Sequence, residues 1–210
     1  VVSPDEYKSC EFDVIHIPDE KAIEIKINDI KYRRKNWIYQ QLIKLGQDFT
    51  ENDLYLCVDS DLFFNKELEL FKNRKPIFFV TDKDQYHQPY FNFMKHSHGL
   101  DRQVNHTFIC DFMMFDKSKC AELIGNKERN LEKVLDYCNN NITDNFMLSE
   151  FELYGNFVTK YYKDSYLKQN IRANVFGKSV RSPWTLEEVS SYVINMKKYE
   201  YDLFTMHTWT

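Results

Sequence analysis

Leu54-Tyr55-Leu56-Cys57-Val58-Asp59-Ser60-Asp61 is the stretch on which the fold class turns, an unbroken apolar run that stops at two acids. A strand buried on both faces of a parallel α/β sheet reads this way, because helices cover both sides of such a sheet. Pro76-Ile77-Phe78-Phe79-Val80 repeats the pattern and ends on Thr81-Asp82-Lys83-Asp84, and a third run spans Thr107 to Phe115 with Asp111 inside it. Helical periods lie between these runs. Ile38, Leu42 and Leu45 share one face of a helix over Asn36–Leu45, with Asn36 as its expected N-cap and Gly46 as its stop. Met147, Phe151, Tyr154, Val158 and Tyr161 form one stripe over 144–162, which sets Glu150 at the edge of the packed interior and turns Glu152 to water. Lys117–Ile124, Lys127–Cys138 and Leu186–Lys197 also read as helices. Val14–Ile17, Asn170–Phe176 and Tyr201–Thr208 read as strands, Ala22–Ile30 as an extended segment, and Gln85–Asn105 as a long loop. The expectation is one α/β domain over 1–210, Rossmann-like, with a mixed, mainly parallel central sheet flanked by helices.

The chain's 210 residues are enough for a substantial core, and 43% apolar with 16% aromatic residues excludes a disordered chain. Its formal charge of −4 provides no field for nucleic acid, so no nucleic-acid partner is expected. No run of about 18 uncharged apolar residues occurs, so no membrane span is expected. Cys10, Cys57, Cys110, Cys120 and Cys138 are scattered and odd in number, which predicts reduced thiols and a cytoplasmic location. Opening on Val1 and ending on a strand-like segment, the chain reads as a domain of a longer polypeptide. Neither GxGxxG nor GxxxxGK[ST] is present, so a bound phosphate must be met by side chains or a metal.

Asp59 and Asp61 supply the chemistry for a metal. Residues i and i+2 of an extended segment point the same way, so two carboxylates at a strand end can grip one divalent cation, and hard oxygen ligands suit Mg²⁺ or Mn²⁺. Such an ion would neutralise a diphosphate as it leaves. Asp82-Lys83-Asp84 has the same spacing, but its central lysine and polar surroundings read as a solvated turn. Arg33, Arg34 and Lys44 precede the metal strand as cations for a diphosphate or sugar, Gln41 can bond donor hydroxyls, and Lys178 and Arg181 stand in a polar loop suited to closing over phosphate. A transfer that inverts configuration needs a carboxylate for the acceptor's proton; Glu150 is the first candidate and Asp111 the competitor. Tyr86, His87, Tyr90, Phe91, Phe93 and His98 offer aromatic surface for a sugar, while the spacing of His87, His96, His98 and His106 matches no zinc site.

The strand Leu54–Asp61, preceded by Trp37-Ile-Tyr-Gln-Gln-Leu-Ile-Lys44-Leu45, resembles the nucleotide-sugar half of GT-A-fold glycosyltransferases, and Ser149-Glu150-Phe-Glu-Leu-Tyr154-Gly155 looks like the acceptor-side helix of one branch. The likeness runs from about residue 30 to 160. The chain is also similar to the small glycosyltransferase domains that large algal DNA viruses encode to decorate their capsids, which would place it in the host cytoplasm. The resemblance implies a nucleotide-sugar half over 1–115 and an acceptor half over 116–210. It implies further that Asp61 binds the metal, that Asp59 binds the ribose or the metal, and that His207 is a distal ligand, which favours Mn²⁺. The expected function is transfer of a hexose or deoxyhexose from a nucleotide-diphosphate sugar, UDP-linked, to a glycan or glycoprotein acceptor. The alternatives are a phosphohydrolase with Asp59 as nucleophile, for which Phe63 stands where Thr or Val is usual, and a carbohydrate-binding module without catalysis.

Overall fold

Segments with a helical period and segments with a strand period sort into different parts of the molecule, a computed structural model that describes residues 2–3, 15–23, 25–46, 49–81, 86–124, 129–141, 147–179, 182, 184–196 and 198–209. One compact unit comprises Val1–Tyr55, His87–Gln103 and Phe115–Tyr161; the other comprises Leu56–Tyr86, Val104–Met114 and Tyr162–Thr210. Each unit draws on both halves of the chain.

The first unit is mainly helical. β1 (Val2–Ser3) runs parallel to β2 (Ile17–Pro18), and α1 (Asp19–Ala22) follows. The segment expected to be extended over 22–30 instead contains a 3₁₀ turn at Ile27–Asp29, with Ile23, Ile25 and Ile30 buried. α2 (Lys35–Leu45) buries Ile38, Leu42 and Leu45 as their spacing predicts, but starts one residue early, with Arg34 at the cap position and Asn36 inside the first turn. Gln85–Asn105, read as a loop, holds α3 (Gln88–His98). Pro89 sits in its first turn, and Gly99, at φ +60°, ends it with an N–H donated to the Lys95 and Met94 carbonyls. α4 (Lys117–Ile124), α5 (Arg129–Asn140) and α6 (Glu150–Tyr161) complete the unit. Every residue of α6 from Glu150 to Val158 is buried. Glu152 therefore does not face water: α6 is packed on all sides, so the wheel has no solvent face to assign it to.

The second unit carries most of the strands. β3 (Leu54–Val58) pairs with β7 (Phe112–Asp116), and the chain passes from one unit to the other inside both strands. β4 (Leu62–Phe64), β10 (Leu203–Trp209) and β9 (Ala173–Ser179) form one three-stranded sheet; β5 (Phe71–Lys72), β6 (Lys75–Val80) and β8 (Leu167–Asn170) form another. β10 is antiparallel to β4 and parallel to β9, while β6 is antiparallel to β5 and parallel to β8. The fold is α/β, and among the described residues its sheets are mixed and hold two or three strands each. β3 shows why the apolar run misled: Leu56 and Val58 are exposed while Tyr55 is buried, so the strand is covered on one face only. The expected strand over 107–115 shrinks to β7, with Thr107 reduced to an isolated bridge to Thr81.

Ile77, Phe79, Cys110, Phe112, Ile171 and Leu203 form the core of this unit. On the other face of β10, Phe204 and Met206 pack against Met196 of α7 (Leu186–Met196) together with Val189, Val193 and Trp184. Among the described residues no helix is long and apolar enough to cross a membrane.

Candidate functional site

β10 alternates by the period of a strand, and that alternation builds the site. Phe204 and Met206 turn toward α7, so Thr205 and His207 point to the opposite face. Thr205, fully buried, donates its hydroxyl to Asp111 Oδ2 at 2.6 Å. His207 Nδ1 lies 2.7 Å from Asp61 Oδ2. β4 and β10 are in register as Leu62 with Thr205 and Phe63 with Phe204, and the Met206 N–H donates to the Asp61 carbonyl at 3.0 Å, which brings Asp61 beside His207. The Leu62 N–H donates to the Asp59 carbonyl at 3.2 Å, closing the Asp59-Ser60-Asp61 turn.

Asp111 is not within the strand but just before it, in the left-handed region at φ +60°. Aspartate tolerates that conformation better than bulky residues do. Its carbonyl accepts the Asp59 N–H at 2.8 Å, so one residue ties the end of β3 through its backbone and β10 through its side chain. Asp59, Asp61 and Asp111 are half-buried. The Asp61 carboxylate beside it holds the His207 imidazole above its ordinary value against the opposing effect of burial, and the charges of Asp111 and Asp59 add to the rise. The carboxylates thus favour positive charge on this side of β10. Among the described residues no three His, Cys, Asp or Glu side chains converge as a ready-made metal cage.

Other predicted residues lie elsewhere. Lys178 projects to the α7 side of its sheet, 2.5 Å from Glu188 Oε1 and over the Trp184 ring, whose indole N–H donates to the His207 carbonyl. Arg181, Asp82 and Asp84 lie outside the described residues. Arg33 and Arg34 stand at the start of α2 in the helical unit. On α2 itself, Gln41 and Lys44 are buried. Lys44 Nζ lies 2.7 Å from Glu150 Oε1 and over the Phe151 ring, and Gln41, with its amide nitrogen turned to the carboxylate, also donates to Glu150. Glu150 is therefore an internal acid with an internal cation. Within the same unit Asn156 donates to Glu152 Oε2 at 3.1 Å and accepts the Gln103 N–H at 2.7 Å.

Phe91 and Phe93, suggested as sugar-facing aromatics, are buried, as core faces of α3. Half-buried Tyr90 stacks on Trp37 and meets His87 edge-on, and its phenol is pushed well above its ordinary value by burial first, then by Glu150, Glu152 and Tyr32. Thr205 is the site residue that sequence reading missed. Its signal is the alternation Leu203-Phe-Thr-Met-His207, which sets Thr205 on the face of His207. Comparison with family models and with curated proteins returns no match for the chain.

Proposed function

We propose that the chain is a divalent-cation-dependent glycosyltransferase that moves a hexose or deoxyhexose from a nucleotide-diphosphate sugar, UDP-linked, to a glycan or glycoprotein. The observation that carries this reading is the pairing of Asp61 with His207, next to Thr205, which bonds Asp111, whose carbonyl in turn accepts the Asp59 N–H. Two carboxylates and an imidazole form a donor set suited to Mn²⁺, with Mg²⁺ as the harder alternative. The carboxylates of Asp61, Asp59 and Asp111 leave this end of the sheet negatively charged, which suits a cation. Asp61, Asp59 and His207 would hold the ion, which when bound supplies charge neutralisation for the departing diphosphate.

The reaction also needs a carboxylate for the proton of the acceptor hydroxyl. Glu150 is engaged by Lys44 and Gln41 inside the helical unit, whereas Asp111 shares its unit with Asp61 and His207. The reading assigns that proton to Asp111, and it assigns Glu150 and Lys44 to holding α6 against α2.

Calorimetry with UDP, GDP and inorganic phosphate, each with and without Mn²⁺, tests the reading. Manganese-dependent nucleotide binding that Asp61→Ala abolishes supports it. Phosphorylation of Asp59 by a phosphate donor identifies a phosphohydrolase instead, and glycan binding indifferent to metal identifies a binding module.

A further inference from the structure

Thr205 contributes a hydroxyl at a fully buried position of a central strand, where an aliphatic side chain would be ordinary, since β10 is flanked by β4 and β9 and packed by α7 on its other face. A buried hydroxyl without a partner is costly, and this one is spent on a single carboxylate oxygen, Asp111 Oδ2. Asp111 in turn occupies the left-handed region, a conformation that an L residue holds only when its surroundings fix it. Its fixed points are the Thr205 hydroxyl on the side chain and the Asp59 N–H on the carbonyl. Rotation of the Asp111 side chain therefore bears on the backbone that presents Asp59, and through the Asp59-Ser60-Asp61 turn on Asp61. Thr205 and His207 are also two residues apart on one strand, so the groups that orient Asp111 and Asp61 share a rigid support.

From this we infer that Thr205 is a positioning residue: acting through Asp111, it sets the orientation of the Asp59–Asp61 turn and hence the affinity of that turn for a cation-bound nucleoside diphosphate. The inference rests on the function proposed above and adds a residue that would touch neither metal nor nucleotide.

The test measures UDP binding by calorimetry in Mn²⁺ for wild type, Thr205→Val, Thr205→Ser, Asp111→Ala and the Thr205→Val/Asp111→Ala double variant, with a thermal midpoint for each. Outer partners of metal-binding groups change affinity by roughly 10–100-fold, so Thr205→Val should weaken manganese-dependent UDP binding about tenfold or more, and Thr205→Ser should stay near wild type. Adding Thr205→Val to Asp111→Ala should cost nothing further, since the hydroxyl acts through that carboxylate. Equal binding by wild type and Thr205→Val overturns the inference and leaves the proposed function standing. Equal losses in the Val and Ser variants also overturn it, because the hydroxyl would then not be what matters. Absence of manganese-dependent UDP binding in wild type removes the function and this inference together.

Discussion

Lys44 Nζ and Glu150 Oε1 lie 2.7 Å apart inside the helical unit, joining α2 to α6 across 106 residues of sequence. Glu150 is almost fully buried and Lys44 nearly so. Taking both charges out of water costs more than a surface pair does, and the pair persists because each ion neutralises the other and Gln41 adds a donor. Lys44→Met leaves a buried carboxylate without its cation, and should cost about 3–5 kcal/mol in urea unfolding. Adding Glu150→Gln removes the stranded charge and should recover most of that loss. If the double variant is no more stable than Lys44→Met, the pair is not what holds the two helices.

His98 should make the protein less stable in mild acid. Burial pushes its imidazole down to about 4 from an ordinary 6.5; a backbone hydrogen bond with Leu123 opposes the fall and the charge of Lys133 adds to it. The folded state therefore refuses a proton that the unfolded chain accepts, so stability is complete above about pH 6.5 and falls as pH drops toward 4. A gap of that size corresponds to about 3 kcal/mol. His207 works in the opposite direction. Its raised value gives stability that is fully present below the ordinary histidine range and fades as pH rises through the folded value. Urea midpoints measured between pH 7.5 and 4.5 should fall for wild type, and fall less for His98→Asn. Parallel curves for the two proteins would refute the assignment.

Legibility in the sequence follows the range of the interactions. Gly46 and the stripe Ile38, Leu42 and Leu45 are local, and α2 lies within a residue of its expected place. α3 was hidden because aromatic residues, histidines and asparagine blur its period, although Pro89 and Gly99 mark both of its ends. Lys44 looked like a surface cation for a phosphate. Only its meeting with Glu150, far along the chain, accounts for its burial. The same holds for the site. Asp59-Ser60-Asp61 is visible as a motif, but its approach to His207 depends on the pairing of β4 with β10, separated by about 140 residues, and no local period contains that information. Small sheets likewise could not be told from one large one, since an apolar run shows that a strand is covered without showing by what.

Asn73 and Arg74 form the two-residue connection between β5 and β6, at φ +52° and +62°. A connection with both residues left-handed matches the twist of a hairpin and favours Asn-Gly. Asn73 suits its position; Arg74 does not. The left-handed region costs a residue with a Cβ about 1–2 kcal/mol, and glycine gives part of that back through its greater unfolded freedom. Arg74→Gly should stabilise the protein by about 0.5–1 kcal/mol, read as a rise in the urea midpoint at unchanged slope. The cross-strand neighbours Lys72 and Lys75 are like charges directly opposite each other, so Lys72→Glu should add a smaller gain of about 0.2–1 kcal/mol.

Gly46 stops α2, and its surroundings show why glycine stands there. Its φ is −62° and ψ 152°, a conformation open to any residue, so no positive φ requires it. What requires it is space. A Cβ at this position would lie 2.6 Å from the Ala22 carbonyl oxygen and 2.9 Å from that of Ile43, both backbone atoms that cannot swing aside as a side-chain tip can. The Gly46 carbonyl also accepts the Tyr55 hydroxyl at 3.1 Å, so displacing this residue disturbs a bond made by a buried tyrosine. Gly46→Ala should therefore destabilise the protein by about 1–3 kcal/mol, the usual cost of overpacking a tight site, even though alanine would be neutral or better on backbone entropy alone. A urea midpoint equal to or above wild type would show that α1 and α2 can move apart far enough to admit a Cβ.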